Sequence, residues 1–118
     1  QEADGIVVGS PVYYAGPNGA LCALLDRVFY SCSELLAYKA GASVAVCRRG
    51  GASATFDRLN KYFTILNMPV VSSQYWNSVH GMRPGEATED AYAGPEYGLV
   101  AERSETGRTA GTGTSGHD

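Results

Sequence analysis

No apolar run in this 118-residue chain approaches the roughly 20 residues that a bilayer-spanning helix needs, which argues against a membrane span. Positive charge is scarce. Nine Lys and Arg stand against twelve Asp and Glu, for a net charge of −3, and the only adjacent basic pair is Arg48-Arg49, so no nucleic-acid surface is indicated. Cysteine is limited to Cys22, Cys32 and Cys47, at spacings that match no zinc or iron–sulfur pattern. They read as buried free thiols in a reducing compartment, which points to the cytoplasm. A basic-then-apolar leader is missing as well. So is an initiating methionine: the chain begins Q-E-A-D and runs at once into a strand-like segment, which reads as a cut end. Large apolar residues stop after Val100, and residues 101–118 have the composition of a disordered tail.

What remains is enough for one domain, with 44% hydrophobic residues. Gly5-Ile6-Val7-Val8-Gly9 is a short β-branched run bounded by glycine, the pattern of a fully buried strand. From Leu21 the period changes to that of a helix, with Leu21, Leu24, Leu25, Val28 and Phe29 on one face and Leu35 and Leu36 continuing it. Pro17 and Asn18 suit its start, by a first-turn proline or a side-chain cap. Ala42 to Cys47 is a second strand, and Arg48 to Ser53 its exit loop. Phe56, Leu59, Phe63 and Leu66 mark a second helix, which Asn67 is placed to end. Val70 to Gln74 is expected to be a third strand, left through Tyr75-Trp76-Asn77.

The order β-α-β-α-β predicts part of an α/β, doubly wound parallel sheet with both helices on one face. The strands are nevertheless apolar at successive positions, as though both faces should be covered. Leaving about four aliphatic side chains wet forfeits roughly 6–12 kcal/mol, at 1.5–3 kcal/mol each. A domain is stable by only about 5–15 kcal/mol. The chain is therefore expected to be a fragment whose second face is covered by elements outside it. The domain reading is 1–81 for the C-terminal part of the α/β domain, 82–100 for a Gly/Pro-rich extension with Tyr92, Tyr97 and Leu99 as anchors, and 101–118 for the tail.

Ligands of open parallel sheets bind outside the carboxyl ends of the strands. The loops expected there are S-P-V-Y-Y-A-G, C-R-R-G-G-A-S and Q-Y-W-N-S-V-H-G. They offer aromatic faces, glycines that permit close backbone approach and two guanidinium groups, which suit a flat, electron-rich, partly anionic ring system. Pro11 and Gly16, taken alone, suit the shaping of a turn as well as a ligand role, and either arginine alone would be an ordinary solvated residue. Tyr13 and Tyr14 are harder to explain without a partner. Trp76 suits a subunit interface as well as a ligand. His80 reads as structural, because no second histidine or carboxylate is spaced to use it.

A-D-G-I-V-V-G-S-P-V-Y-Y-A-G-P, L-L-D-R, V-C-R-R-G-G and Y-W-N-S-V-H-G together resemble the flavodoxin-like NAD(P)H-dependent FMN reductases, in the branch related to iron–sulfur flavoproteins. The resemblance runs from Ala3 to about Gly85. It implies a flavodoxin-like three-layer fold, FMN as cofactor and NAD(P)H as co-substrate. It further implies that Ser10, Pro11, Val12, Tyr13, Tyr14 and Gly16 wrap the isoalloxazine ring, with Arg48, Arg49, Gly50 and Gly51 along its pyrimidine edge, where positive charge suits the anionic reduced ring. Members are generally homodimers or homotetramers, with the flavin near an interface to which Tyr75, Trp76 and His80 would contribute. The family's first strand and its Ser/Gly-rich phosphate loop, the cysteine cluster of the iron–sulfur members and the closing helix have no counterpart here, so activity of this fragment alone is doubtful.

The implied activity is hydride transfer from NAD(P)H to FMN and on to an acceptor, with no catalytic acid–base residue required. A flavodoxin-like electron-transfer or flavin-binding module without nicotinamide turnover is the alternative, and fold alone does not separate them. A receiver-like signalling domain ranks last, since the expected strands end in Ser10, Cys47 and Gln74 and supply no phosphoacceptor Asp.

Overall fold

The computed structural model describes residues 2–73 and 75–88. Residues 89–118, and with them most of the expected extension and all of the expected tail, lie outside the described residues.

β1 (Gly5–Pro11) and β2 (Ala40–Cys47) pair in parallel from Gly5↔Ala40 to Pro11↔Val46. β3 (Ser78–His80) adds to the other edge of β2, giving the order β1-β2-β3. The crossovers are α1 (Gly19–Ser31) and α3 (Ala52–Ile65). Leu25 and Phe29 of α1 share a core with Val8 and with Leu59, Tyr62 and Phe63 of α3, so both helices cover one face of the sheet, as expected. Gly41 belongs to that packing. A Cβ there would lie 2.6 Å from the Phe63 ring, which is fully buried and tilted against Phe29 at 5.8 Å.

Local chemistry sets the element ends. The Asn18 side chain accepts from Leu21 N–H at 3.0 Å and caps α1, so the side-chain cap starts this helix and Pro17 lies outside it. The helix expected through Leu36 is interrupted at Cys32. The Ser31 hydroxyl donates back to the Arg27 carbonyl at 2.8 Å, a local bond that competes with the helical ladder. A short α2 (Ser33–Leu36) follows and still buries Leu36. α3 ends on Asn67 at φ 58, with Met68 N–H to Phe63 O at 3.1 Å and Asn67 N–H to Thr64 O at 3.3 Å. That pair of bonds is a Schellman cap, with Asn in the place glycine usually takes.

The third strand departs from expectation. Val71 packs on Ala40 and Ala42, but among the described residues this segment forms no ladder with β2 beyond a single bridge at Gly41, where Gly41 N–H meets Pro69 O and Val71 N–H meets Gly41 O. The chain then leaves the edge and returns at Ser78–His80. The ladder partners of Ala45, Val46 and Cys47 are therefore Ser78, Val79 and His80, within the segment expected to be an exit loop. Gln74, the expected end of that strand, lies outside the described residues.

The far face is also better covered than expected. A 3-10 turn (Glu86–Thr88) sets Ala87 against Val44 and Val79, which are 8% and 2% exposed. Val7 and Val46 on the same face stay open at 60% and 36%.

Candidate functional site

β1, β2 and β3 run parallel, so their exits lie along one edge of the sheet. The β1 exit is a two-residue hairpin. Tyr13 N–H donates to Gly16 O at 2.8 Å and Gly16 N–H to Tyr13 O at 3.0 Å, around Tyr14 at φ 49 and Ala15 at φ 56. Two positive φ values mark the I′ class of turn, usually occupied by Asn-Gly. Here both central residues carry a side chain, at a cost of about 1–2 kcal/mol each. The turn projects Tyr14 wholly into solvent and leaves Tyr13 57% exposed.

This turn is held from below. Ser10, 2% exposed, accepts from Asn18 N–H at 2.8 Å, donates to the Pro11 carbonyl at 2.8 Å, and so ties the strand end to the cap of α1. Its hydroxyl is occupied by the protein's own backbone. Val12 N–H donates to Val46 O at 2.9 Å and continues the ladder one residue beyond β1. Pro11 is exposed and Val12 half-buried, the latter packed against Ala45, Cys47, Ala52 and Phe56.

The β2 exit abuts the β1 turn. Gly51 sits at φ 86 as the N-cap of α3, and a Cβ on it would come within 2.8 Å of Ala15 Cα and 2.9 Å of a Val12 methyl. Only glycine satisfies both conditions. A Cβ at Gly50, by contrast, would meet nothing within 4 Å. Arg48 and Arg49 are exposed and have no ion pair among the described residues. With Gly51 as N-cap, α3 has no side-chain cap, and its first N–H groups face this edge.

The structure therefore brings together Pro11, Val12, Tyr13, Tyr14, Gly16, Arg48, Arg49, Gly50 and Gly51, and places Ser10 beneath them. Tyr75 and Trp76 stand elsewhere. Their rings meet at 5.3 Å between centres, tilted by 53°, on the excursion that precedes β3, and both are more than half exposed. Both precede β3, so they stand on the entry side of that strand, whereas the other candidate residues stand at or after strand ends. The reason is the late position of β3. His80 closes β3 beside Cys47. Sequence reasoning missed Ala15, whose strain no composition rule signals, and the β3 exit at Met82-Arg83, hidden by placing the strand too early.

Among the described residues no group of His, Cys, Asp and Glu is arranged to hold a metal ion, and no helix is long and apolar enough to cross a membrane. A flat ring system fits the edge: an open aromatic face, a glycine with free space above it and two guanidinium groups without an ion pair among the described residues stand on two abutting loops.

Comparison with known proteins bears on the fold and the family. An iron–sulfur flavoprotein of Methanocaldococcus jannaschii is 36% identical over an alignment 98 residues long that covers 76% of this chain and 51% of that protein. The chain thus spans about half the length of this curated relative. Among solved structures, a flavodoxin, WrbA-like protein from Agrobacterium tumefaciens superposes with a TM-score of 0.65 at 18% identity, covering 86% of this chain and 69% of that one. The Trp repressor binding protein of Bacillus subtilis gives 0.65 at 16% identity, over 88% and 68%. These likenesses show an α/β flavodoxin-like fold. Residues 1–82 match the family of NADPH-dependent FMN reductases, and the chain belongs to that family.

Proposed function

We propose that the strand-end loops hold the ring of FMN and that the chain serves an oxidoreductase using NAD(P)H as co-substrate. The observation that carries this reading is the strained Tyr13–Gly16 turn, which keeps an aromatic ring fully in solvent at the end of β1. Strain of this kind clusters at ligand sites, where the surrounding structure over-determines the backbone. When bound, the flavin supplies the redox chemistry, accepting hydride from the nicotinamide and passing electrons on.

The protein's own residues bind and orient. Tyr14 and Tyr13 offer stacking faces, Pro11 and Val12 an apolar wall, and Gly50 room for close approach. Arg48 and Arg49 favour negative charge on the ring they border. Ser10 fixes the loop without touching the ligand. No residue of these loops is asked to act as an acid or base. Assembly into homodimers or homotetramers, with Tyr75 and Trp76 at an interface, and a cytoplasmic location belong to the same proposal. The exposed pair of tilted rings supports the interface, and the free thiols support the location.

A second reading is a flavin-binding electron carrier without nicotinamide turnover, suggested by the likeness to a protein described as a flavodoxin. Steady-state oxidation of NAD(P)H by the FMN-loaded protein separates the two. Turnover well above that of free FMN is expected; bound FMN with no turnover establishes the carrier.

A further inference from the structure

Arg48-Arg49 leaves β2 and Met82-Arg83 leaves β3, and these strands are hydrogen-bonded neighbours. Cys47 and His80 are register partners, and Gly81 N–H donates to the Cys47 carbonyl at 3.0 Å, so the two exit loops start side by side. All three arginines are exposed, and none has an ion pair among the described residues. Glu86, close by in sequence, makes no ion pair with them. Its Oε2 accepts from the backbone N–H of Met82 at 2.7 Å and of Arg83 at 3.1 Å, and these bonds hold its carboxyl below the usual range. The same bonds fix the backbone of Arg83 before any ligand arrives. Elsewhere the chain handles an arginine differently: Arg58 approaches Asp26 at 3.9 Å and lies over the Tyr62 ring at 4.8 Å. In a chain of net charge −3, three unpaired guanidinium groups on two adjoining loops form a local concentration of positive charge.

We infer that this two-loop arginine cluster binds a phosphate monoester dianion, with Arg83 as the specificity-determining residue supplied by the β3 exit. Guanidinium forks match phosphate oxygens in pairs, and a backbone fixed beforehand reduces the ordering cost of binding. The inference rests on the flavin-reductase reading, which offers two sources of such a dianion: the 2′-phosphate of NADPH and the 5′-phosphate of FMN.

Two measurements test it. In the first, affinities for the pairs FMN/riboflavin and NADPH/NADH are measured by fluorescence titration for the wild type, Arg83→Gln and Arg83→Lys. Loss of charged hydrogen bonds should cut the preference for the phosphorylated member of one pair by about ten- to a hundredfold in Arg83→Gln. The other member's affinity stays put and Lys retains part of the preference. The pair that responds names the source. In the second, inorganic phosphate is added during phenylglyoxal modification, and each arginine is followed by peptide mass spectrometry. Phosphate should slow modification of Arg48, Arg49 and Arg83 and leave exposed Arg27 unaffected. Protection without any flavin binding would overturn the flavin reading and leave the phosphate site standing. Flavin binding with both preference ratios unchanged and no protection would overturn the phosphate site and leave the flavin reading intact. It would also turn attention to an acidic protein surface. Equal losses for both members of each pair would reduce Arg83 to a structural role and overturn its assignment.

Discussion

Replacing Tyr14 by glycine should make the protein more stable and a poorer flavin binder. Tyr14 sits at φ 49, and its side chain is fully exposed, so removing it sacrifices no burial. A left-handed residue with a Cβ carries about 1–2 kcal/mol of strain. Glycine removes that strain but adds about 0.5–1 kcal/mol through the freedom of the unfolded chain. The net expectation is stabilisation by about 0.5–1 kcal/mol, read as a higher midpoint in urea at unchanged slope. Ala15→Gly, at φ 56, should stabilise similarly while sparing flavin affinity. In the same Tyr14→Gly protein, loss of a stacking face should weaken FMN binding by about 1–3 kcal/mol, taking base–aromatic stacking as the nearest guide. Quenching of FMN fluorescence measures it, and Tyr14→Phe should keep wild-type affinity. Opposite signs in one variant are the diagnostic result. Unchanged FMN affinity in Tyr14→Gly would refute the ligand role of the turn. A fall in stability would refute the strain argument behind it.

Gly41→Ala drives a methyl into the Phe63 ring, which is held between Phe29 and the sheet, and should lower stability by about 1–3 kcal/mol in chemical denaturation. Thr55 is fully buried with a hydroxyl that finds no partner among the described residues, so Thr55→Val should raise stability by about 1 kcal/mol; a loss would mean the hydroxyl is bonded in solution. Burial, reinforced by the hydrogen bond to Asp26, pushes the Tyr62 phenol from 10.0 up to about 12. The folded state therefore holds this proton more tightly than the unfolded chain. That contribution to stability is complete below pH 10 and is lost as pH rises through about 12. Tyr62→Phe should flatten the alkaline limb of the pH–stability curve across that window, and an unaltered limb would show that the phenol titrates normally.

Period and punctuation carried the fold because each signal has a single physical outcome. Leu25, Phe29, Leu59 and Phe63 recur at helical spacing and pack on Val8 through one shared core. Asn18 caps the start of α1 through its side chain, and Asn67 takes the left-handed position that closes α3, both roles that asparagine favours. The third strand was illegible for the converse reason. V-V-S-S-Q has the composition of a strand, yet pairing at this edge depends on where the neighbouring β2 offers free groups. The chain touches it at Gly41 and returns only at Ala45. Register across a sheet is a tertiary property, and a three-residue strand carries too little periodicity to announce it.

The site was legible in its residue types and hidden in its geometry. Two tyrosines and two arginines at strand exits invite a ligand, but nothing in Y-Y-A-G says that Tyr14 and Ala15 adopt left-handed backbone, since glycine and asparagine are what that conformation usually selects. The turn persists because it is clamped on both sides. Ser10 and Asn18 fasten its entry to α1, and Gly51, stripped of a Cβ, lets the β2 loop close against Ala15. Strain imposed locally and support supplied by two neighbouring elements give the rigid, open ring face that a planar ligand needs. The same logic makes Gly51→Ala the most damaging small change at this edge. It combines strain at φ 86 with a 2.8 Å clash on the turn itself, and it should perturb Tyr14 without touching any ligand atom.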